Sequence, residues 1–215
     1  MASRASPLSR VQVEEVFLAL REYHPEVEFV NIYMTTVGDR DLKTSLRSLD
    51  KTDFFTRDID LLQLGGGCEI SVHSAKDLPD PLPEGLVVVA VTSGLDSSNS
   101  LVLAEGMSFE ELPVGGKIAT SSQRRDENVR RMRSDLQIVD IRGNIGERLA
   151  KLDQGLVDGV VIAEAALIRL GLTHLNRVRL EGESAPLQGK LAVIAREGDA
   201  LMAELFACLE TQVLC

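Results

Sequence analysis

The second half of the chain alternates short apolar runs with helical segments, and this pattern constrains the fold more than any other feature. The predicted order is strand, strand, helix, strand, helix, strand, helix, at 100–104, 117–119, 123–132, 137–141, 145–154, 159–163 and 164–170. Strands that alternate with helices in this way indicate a largely parallel sheet covered by helices. We therefore expect an α/β fold for this region.

The remaining segments predict another α/β lobe, built from both ends of the chain. The spacing of Val13, Val16 and Leu20 predicts an amphipathic helix after Pro7. Strands are predicted at 27–34, 69–73, 86–92 and 190–196, a charged loop at 39–58 enters a helix that ends at 64, and a helix at 199–214 closes the chain. A linker of small polar residues after Thr92 then places the first lobe at 1–92 plus 187–215 and the second lobe at 93–186.

Charge and cysteine content narrow the classes of function. The net charge of −10 over 215 residues argues against a general nucleic-acid binder, yet five arginines gather at 124, 125, 130, 131 and 133, which suits a small polyanion. Cys68, Cys208 and Cys215 are too widely spaced for a disulfide framework or a metal site. The sequence has no apolar signal core and no apolar run of the ~20 residues that span a bilayer, so we expect a cytoplasmic protein without membrane or metal.

The loop T-S-S-Q-R-R (120–125) follows a predicted strand and begins a predicted helix. Thr120, Ser121 and Ser122 can offer hydroxyl and amide donors to an oxyanion there, while Arg124 and Arg125 add charge. An ordinary serine at the helix N-cap, followed by solvated arginines, explains the same segment. The pattern alone leaves both interpretations open.

A second loop, I-R-G-N-I-G-E-R (141–148), repeats this arrangement. Arg142 leaves a strand, Gly143 permits a tight turn, and Arg148 lies in the first turns of the next helix. Ligands collect outside the carboxyl ends of strands in open α/β sheets. Two arginine-bearing loops at one sheet edge favour an anion site over chance, because an isolated charge cluster would repel itself.

The segment V-H-S-A-K-D-L-P (72–79) places Lys76 beside Asp77 after a buried strand. Asp77 is a candidate general acid or base, or a stabiliser of a cationic intermediate. A surface turn with a local ion pair, worth about 0–1 kcal/mol, is the alternative. We expect His73 to be a packed histidine and the glycines at 65–67 to end a helix, since no phosphate-loop motif surrounds them.

The order of these motifs resembles the porphobilinogen deaminase family over nearly the whole chain. The matching segments are A-S-R-A-S-P-L-S (2–9), T-V-G-D (36–39), 72–79, A-T-S-S-Q-R-R (119–125), I-R-G-N-I-G-E-R-L-A-K-L-D (141–153) and A-A-L-I-R-L-G-L (165–172). The resemblance implies two lobes like a type II periplasmic binding protein with a cleft between them. The family's third domain, which carries a dipyrromethane cofactor on a cysteine, is expected to be absent, so no attachment cysteine is assigned.

The resemblance also implies the reaction and the residues that perform it. Members join four porphobilinogens head to tail into hydroxymethylbilane, with release of ammonia, in heme and tetrapyrrole biosynthesis. Asp77 matches the catalytic carboxylate of this transferase. The positions that match cofactor- and substrate-binding residues are Arg4, Ser6, Lys51, Lys76, Ser122, Arg124, Arg125, Arg142, Arg148 and Arg169. The family's G-G-K-G-L-F stands here as L-D-K-T-D-F-F, with an apparent insertion, and Val37 replaces the usual basic residue of T-R-G-D.

Two other functions fit part of the pattern. A non-catalytic protein could hold a pyrrole or another small polycarboxylate in the same cleft, and the absent cofactor cysteine motivates this alternative. An effector domain of a LysR-type regulator is disfavoured, because the chain has no helix-turn-helix segment and K-D-L-P stays unexplained. We expect a monomeric enzyme whose partner is porphobilinogen.

Overall fold

The computed structural model describes residues 1–48 and 52–209 and divides the chain into two compact units. The first unit comprises Met1–Arg40, Lys51–Leu95 and Gly189–Cys215, and the second comprises Asp41–Asp50 and Asp96–Gln188. The sequence pattern ended the first segment of the first lobe at 92 and began its returning segment at 187, and the structure places these positions at Leu95 and Gly189. The segment Asp41–Asp50, which the sequence pattern assigned to the first lobe, groups with the second unit instead.

The first unit is built on a five-stranded sheet in the order β2-β1-β3-β10-β4. Its strands are β1 (Ala2–Arg4), β2 (Ile32–Met34), β3 (Ile70–Ser74), β4 (Leu86–Val91) and β10 (Leu191–Arg196). Its helices are α1 (Pro7–Arg21), α2 (Val37–Arg40), α3 (Arg57–Leu64) and α7 (Ala200–Phe206). Strand β1 pairs in parallel with β2 and β3, whereas β10 runs antiparallel to β3 and β4. The return of the 190–196 strand to this sheet was therefore predicted correctly.

Helix α1 forms where the apolar spacing placed it and covers one face of this sheet. Pro7 occupies its first turn, and the Ser6 hydroxyl accepts a hydrogen bond from the Ser9 amide. Val16 and Leu20 are fully buried against apolar residues of β3 and β10 and against Phe206 of α7. Burial of a side chain of this size stabilises the fold by about 1.5–3 kcal/mol.

The second unit has a five-stranded sheet of the same pattern, in the order β7-β6-β8-β5-β9. Its strands are β5 (Asn99–Leu103), β6 (Lys117–Ala119), β7 (Gln137–Val139), β8 (Gly159–Ala163) and β9 (Arg177–Leu180). Its helices are α4 (Gln123–Met132), α5 (Ile145–Asp153) and α6 (Glu164–Arg169). Strand β6 runs parallel to β7 and β8, while β5 runs antiparallel to β8 and β9. The sheet is thus mixed, and the prediction of a largely parallel sheet was wrong for its β5 and β9 side.

Three strand predictions also need correction. The strand predicted at 27–34 is reduced to Ile32–Met34, because its pairing partner β1 offers only Ala2–Arg4. Strand β1 itself was expected to be a loop, and β9 was not predicted. The closing helix, predicted at 199–214, is α7 followed by a 3-10 turn at Ala207–Leu209, and residues from 210 onward lie outside the described part.

The turn before β10 holds Leu187 in a left-handed backbone conformation. Its φ is 58°, and the turn is closed by a hydrogen bond of 3.1 Å from the Gln188 amide to the Ala185 carbonyl, with Pro186 at the second position. A side chain with a Cβ costs about 1–2 kcal/mol in this conformation, whereas glycine adopts it freely. The backbone is therefore strained at Leu187.

Leu187→Gly is expected to raise the free energy of unfolding by about 0.5–1 kcal/mol, because the relieved strain exceeds the extra entropy that glycine gives the unfolded chain. Urea denaturation measures the change. The same exchange at Leu61, exposed in the middle of α3, is the control and is expected to cost about 1 kcal/mol. A loss of stability at both positions would contradict the assignment of strain.

Candidate functional site

In the first unit, the predicted site residues lie at the edge of the sheet where β1 and β3 end. These strands are parallel, so the segments that follow them emerge on the same side. Arg4 is the last residue of β1, and Ser6 begins α1. Lys76 and Asp77 lie in a 3-10 turn, Ala75–Asp77, directly after β3. All four side chains are partly exposed.

Arg4 is engaged by a carboxylate of its own unit. Its Nε lies 3.1 Å and 3.3 Å from the two carboxylate oxygens of Asp39, its Nη2 contacts the same group, and its guanidinium carbon is 4.4 Å from the centre of the Phe55 ring. Burial would raise the pKa of Asp39, but hydrogen bonds from Arg4 and Thr36 outweigh it and hold the pKa below its usual value. Asp39 therefore stays ionised and fixes Arg4, a partner that the sequence pattern did not suggest.

The end of β3 is held from two sides, which fixes the position of the Lys76–Asp77 turn. Gln12 of α1 donates from Nε2 to the Ser74 hydroxyl at 2.8 Å, and the Ala75 amide donates to the Lys190 carbonyl at 3.0 Å. Gln12 is buried, so this bond is protected from water. Asp77 thus projects from a backbone whose strand end is anchored on both neighbouring elements.

In the second unit, the two arginine-bearing loops share one sheet edge. Strands β6, β7 and β8 are parallel, so the segments 120–122, 140–144 and the start of α6 all emerge there. The N-termini of α4 and α5, which carry a partial positive charge, also lie at this edge. An edge of this kind attracts carboxylates.

The three hydroxyl residues after β6 have different roles. Ser121 is buried, and its hydroxyl donates to the Ile141 carbonyl and accepts from the Ile141 amide at 3.1 Å, so it ties the two loops together. Thr120 is also buried, and its Oγ1 accepts from the Ser122 amide at 3.2 Å. Ser122 occupies the N-cap position of α4, but its side chain makes no capping bond. The simple explanation of a serine cap therefore does not hold.

The second loop turns sharply at Gly143 before α5 begins. Gly143 has a φ of +104°, and an added Cβ would lie 2.7 Å from the Glu147 carboxylate, so a residue without a side chain is required. Asn144 and Glu147 form a capping box at the start of α5. Arg148 donates from Nε to the Gly143 carbonyl at 2.8 Å, which fastens the arginine to the turn.

The remaining predicted residues are three arginines of α4 and α6, Arg142 and Lys51. Arg124 is exposed and Arg125 half-buried in the first turn of α4, while Arg169 ends α6, six residues beyond β8. Arg142 donates from Nη2 to the Asp41 carbonyl at 2.6 Å. Lys51 lies outside the described residues. The structure thus groups the candidates into one set at each sheet edge.

The segment 41–48 contributes contacts to the second edge that the sequence did not reveal. Arg47 lies 2.9 Å from an Asp126 carboxylate oxygen and 3.3 Å from the Thr120 carbonyl. Hydrogen bonds from Thr44 and Lys43 hold the pKa of Asp41 at about 2. Nothing in the local pattern of this charged loop indicates that it packs on residues some eighty positions away.

The cysteines of the described residues are Cys68 and Cys208. Cys68 is buried and Cys208 half-buried; burial raises the pKa of both thiols, so neither resembles a reactive thiolate. Within residues 1–48 and 52–209, no three His, Cys, Asp or Glu side chains gather as metal ligands. No helix in the same ranges has the length and apolar character needed to cross a bilayer.

Comparison with known proteins gives one consistent family. The model described as "Porphobilinogen deaminase, dipyromethane cofactor binding domain" matches residues 1–204. Porphobilinogen deaminase of Xanthomonas oryzae is 40% identical over 213 residues, and that of Stenotrophomonas maltophilia is 38% identical. In each case the match covers 98% of this chain and 70% of the relative.

Solved structures of low identity report on the fold alone. A periplasmic substrate-binding protein of an ABC transporter from Coxiella burnetii has a TM-score of 0.59 at 15% identity, covering 98% of this chain and 91% of its own. An amino acid ABC transporter substrate-binding protein from Streptococcus pneumoniae has a TM-score of 0.50 at 13% identity, covering 93% and 75%. The predicted class of two α/β lobes of the periplasmic-binding-protein kind is confirmed.

Proposed function

The chain belongs to the porphobilinogen deaminase family, and from this premise we propose that it condenses four porphobilinogens head to tail into hydroxymethylbilane. The observation that carries the proposal is the match of residues 1–204 to the family model, together with relatives that are 40% identical over 213 residues. The two sets of candidate residues support it, because the reaction needs cations for the acetate and propionate groups and a carboxylate for a cationic intermediate. The enzyme is accordingly a transferase of heme and tetrapyrrole biosynthesis.

Asp77 is proposed to handle the charge and the proton of each condensation. The bond between the aminomethyl carbon and nitrogen of porphobilinogen breaks, and ammonia leaves with both electrons. The pyrrole that remains is a cation, which a carboxylate stabilises when it is held nearby. A new carbon–carbon bond then forms at the free α-carbon of the neighbouring ring, which loses a proton to a base, and Asp77 is the group proposed to accept it.

The arginines of the second unit are proposed to bind the carboxylates. Arg124, Arg125 and Arg142 carry planar guanidinium groups that match acetate and propionate in bidentate geometry. The Ser122 hydroxyl, which does not cap α4, is proposed to bind the same carboxylates. The proposed binding set is completed by Arg4, Ser6, Lys76, Thr120, Ser121, Gly143, Arg148 and Arg169, with Lys51.

Dipyrromethane is the cofactor of the family, and the donor set of the second unit fits it. Its carboxylates require several cations and hydroxyls at one edge, and residues 120–125 and 142–148 supply them there. When bound, it supplies the two-ring starting point to which substrate rings are added. Thr120, Ser122, Arg124, Arg125 and Arg142 would hold it.

The test of the proposal is ammonia release from porphobilinogen by the purified protein. Arg124→Ala is expected to raise KM about 10- to 150-fold, because one hydrogen-bonded ion contact worth about 1.5–3 kcal/mol is lost. Arg131→Ala is the control, since Arg131 is exposed on the same helix and its removal changes the net charge equally. Binding of porphobilinogen without any ammonia release would identify a non-catalytic pyrrole-binding protein instead.

The state and location of the enzyme are further proposals. We place it in the cytoplasm as a monomer that acts on a small molecule, with neither nucleic acid nor membrane as partner. The net charge of −10 supports the exclusion of nucleic acid.

A further inference from the structure

Two buried carboxamide side chains, Asn99 and Gln188, meet the guanidinium group of Arg125 inside the second unit. Asn99 is 3% exposed and Gln188 is 4% exposed. Arg125 donates from Nε to the Asn99 side-chain oxygen at 2.8 Å and from Nη2 to the Gln188 side-chain oxygen at 3.4 Å. Buried polar groups of this kind are costly unless every bond is made, so this cluster fixes the geometry of its members.

The orientation of the Gln188 amide is determined by its neighbours. Its Nε2 donates to the Ser97 carbonyl at 2.6 Å, to the Ser98 carbonyl at 3.0 Å and to the Asn99 side-chain oxygen at 3.0 Å. Three oxygens around one nitrogen leave the amide oxygen directed at Arg125. Gln188 therefore anchors the start of β5 and, through Asn99, the arginine.

Three of the groups that accept hydrogen bonds from Arg125 are neutral oxygens. Besides the two amide oxygens, Nη1 donates to the Val161 carbonyl at 3.2 Å. Arg177 of the same unit is instead held by a carboxylate, that of Glu164 at 2.8 Å. Hydrogen bonds from an ionised donor are strong, so these neutral acceptors fix the orientation of the guanidinium.

The backbone turn that places Gln188 in this cluster is strained. The preceding residue is Leu187, whose left-handed conformation strains the turn. Strain of this kind persists only where the surrounding structure enforces it, and it is concentrated at functional sites. Here the strained turn ends on the residue whose side chain supports Asn99.

We propose that Asn99, supported by Gln188, is a positioning residue that aims the Arg125 guanidinium at a carboxylate of the pyrrole substrate. This inference rests on the proposed function, in which Arg125 binds such a carboxylate. Asn99 acts only through Arg125, and its amide oxygen is the atom that matters. The aspartate side chain, which keeps an oxygen at the same position, can replace it.

The first test compares Asn99→Leu with Asn99→Asp in porphobilinogen turnover. Asn99→Leu is expected to raise KM roughly tenfold with kcat changed less than about twofold, because hydrogen bonds to a charged group are worth about that factor or more. Asn99→Asp is expected to stay within about threefold of wild type in KM. A purely structural role would reduce the fraction of folded enzyme, and thus the apparent kcat, and would leave KM unchanged.

A double-mutant cycle and a matched control sharpen this test. In an Arg125→Ala background, Asn99→Leu is expected to cause no further rise in KM, since the group that it positions is gone. Asn128→Leu is the control. Asn128 is buried on α4, the helix that also carries Arg125, and its Nδ2 donates to the Glu183 carbonyl at 2.8 Å. Additive effects of Asn99→Leu and Arg125→Ala on KM, or an equal rise in KM for Asn128→Leu, would overturn the proposal.

A measurement without substrate separates this inference from the proposed function. The Arg125 Nε–H signal in a proton–nitrogen NMR spectrum, assigned by its loss in Arg125→Ala, is expected to be protected from solvent exchange in wild type and in Asn99→Asp. In Asn99→Leu it is expected to lose that protection. If the signal behaves in this way and wild type releases no ammonia, the proposed function fails and the positioning role stands. An unprotected signal in wild type refutes the positioning role alone.

Discussion

Asp77→Asn is expected to lower the rate of ammonia release by a factor of about 10²–10⁴, the contribution that a positioned acid or base ordinarily makes. Asparagine has the shape of aspartate but carries no charge and accepts no proton. It can therefore neither stabilise the cationic pyrrole nor take the proton lost when the new carbon–carbon bond forms. The loss should appear in kcat, because the interaction is made in the transition state.

The experiment measures ammonia release and porphobilinogen binding on the same samples. Binding of porphobilinogen by Asp77→Asn, followed by calorimetry, should stay within a few-fold of wild type, since the arginines are untouched. Asp80→Asn is the matched control, because Asp80 is exposed and lies three residues further along the same segment. Turnover by Asp77→Asn within tenfold of wild type would remove Asp77 from the proposed chemistry.

The position of Asp77 also shows what local sequence can and cannot indicate about this site. A polar K-D pair after a buried strand pointed to the turn Ala75–Asp77, and the structure places that turn at the end of β3. The bond from Gln12 to Ser74, which holds the strand end, joins residues 62 positions apart. Such a contact depends on how α1 packs on the sheet, so no short motif reports it.

The same distinction between local sequence patterns and long-range contacts applies to the fold. Helix α1 was predicted because its apolar residues recur at helical spacing, which is a strong signal, and the loops after β6 and β7 followed from the strand–helix alternation. Strands β1 and β2 have three residues each, too few to show a period of two. Their existence depends on pairing with each other and, for β1, with β3, which is a tertiary effect.

Strand direction explains why Asn99 of the second unit was not predicted from the sequence. The sequence pattern directed attention to strand ends, which are the correct places in a parallel sheet. Because β5 is antiparallel to β8, its beginning lies at the edge where β8 ends, and Asn99 is paired with Ala163. Asn99 therefore reaches this edge from the start of a strand, and a mixed sheet must be recognised before such a residue can be predicted.

We expect the free energy of unfolding of the first unit to decrease strongly in acid. The cause is His73. This residue of β3 is 5% exposed, and its Nε2 lies 3.1 Å from the Ser71 hydroxyl. The Ser71 hydroxyl donates to the Gln63 side-chain oxygen at 2.8 Å, so it accepts from the neutral histidine. Burial, with a smaller contribution from the charge of Arg4, lowers the pKa of His73 to about 4.

The direction of the effect follows from the two states of His73. In the unfolded chain its pKa is about 6.5, so below that pH the unfolded state binds a proton that the folded state does not accept until about pH 4. The stabilisation from a neutral, buried His73 is therefore complete above about pH 6.5 and is lost as the pH falls toward 4. Over this window the free energy of unfolding should decrease by about 3 kcal/mol on account of this one group.

His73→Asn removes the titrating group, so the unfolding free energy of the variant should depend on pH more weakly than that of wild type, by about 2.5 kcal/mol between pH 7.5 and pH 4.5. Urea denaturation at the two pH values measures this difference. The variant loses packing and is expected to be less stable at pH 7.5, so the comparison is between slopes with pH and not between absolute stabilities. His174→Asn is the control, because His174 is exposed and its replacement should leave the pH dependence intact. Equal pH dependence in wild type and His73→Asn would mean that His73 is solvated or already charged in the folded protein, contrary to the buried neutral ring described above.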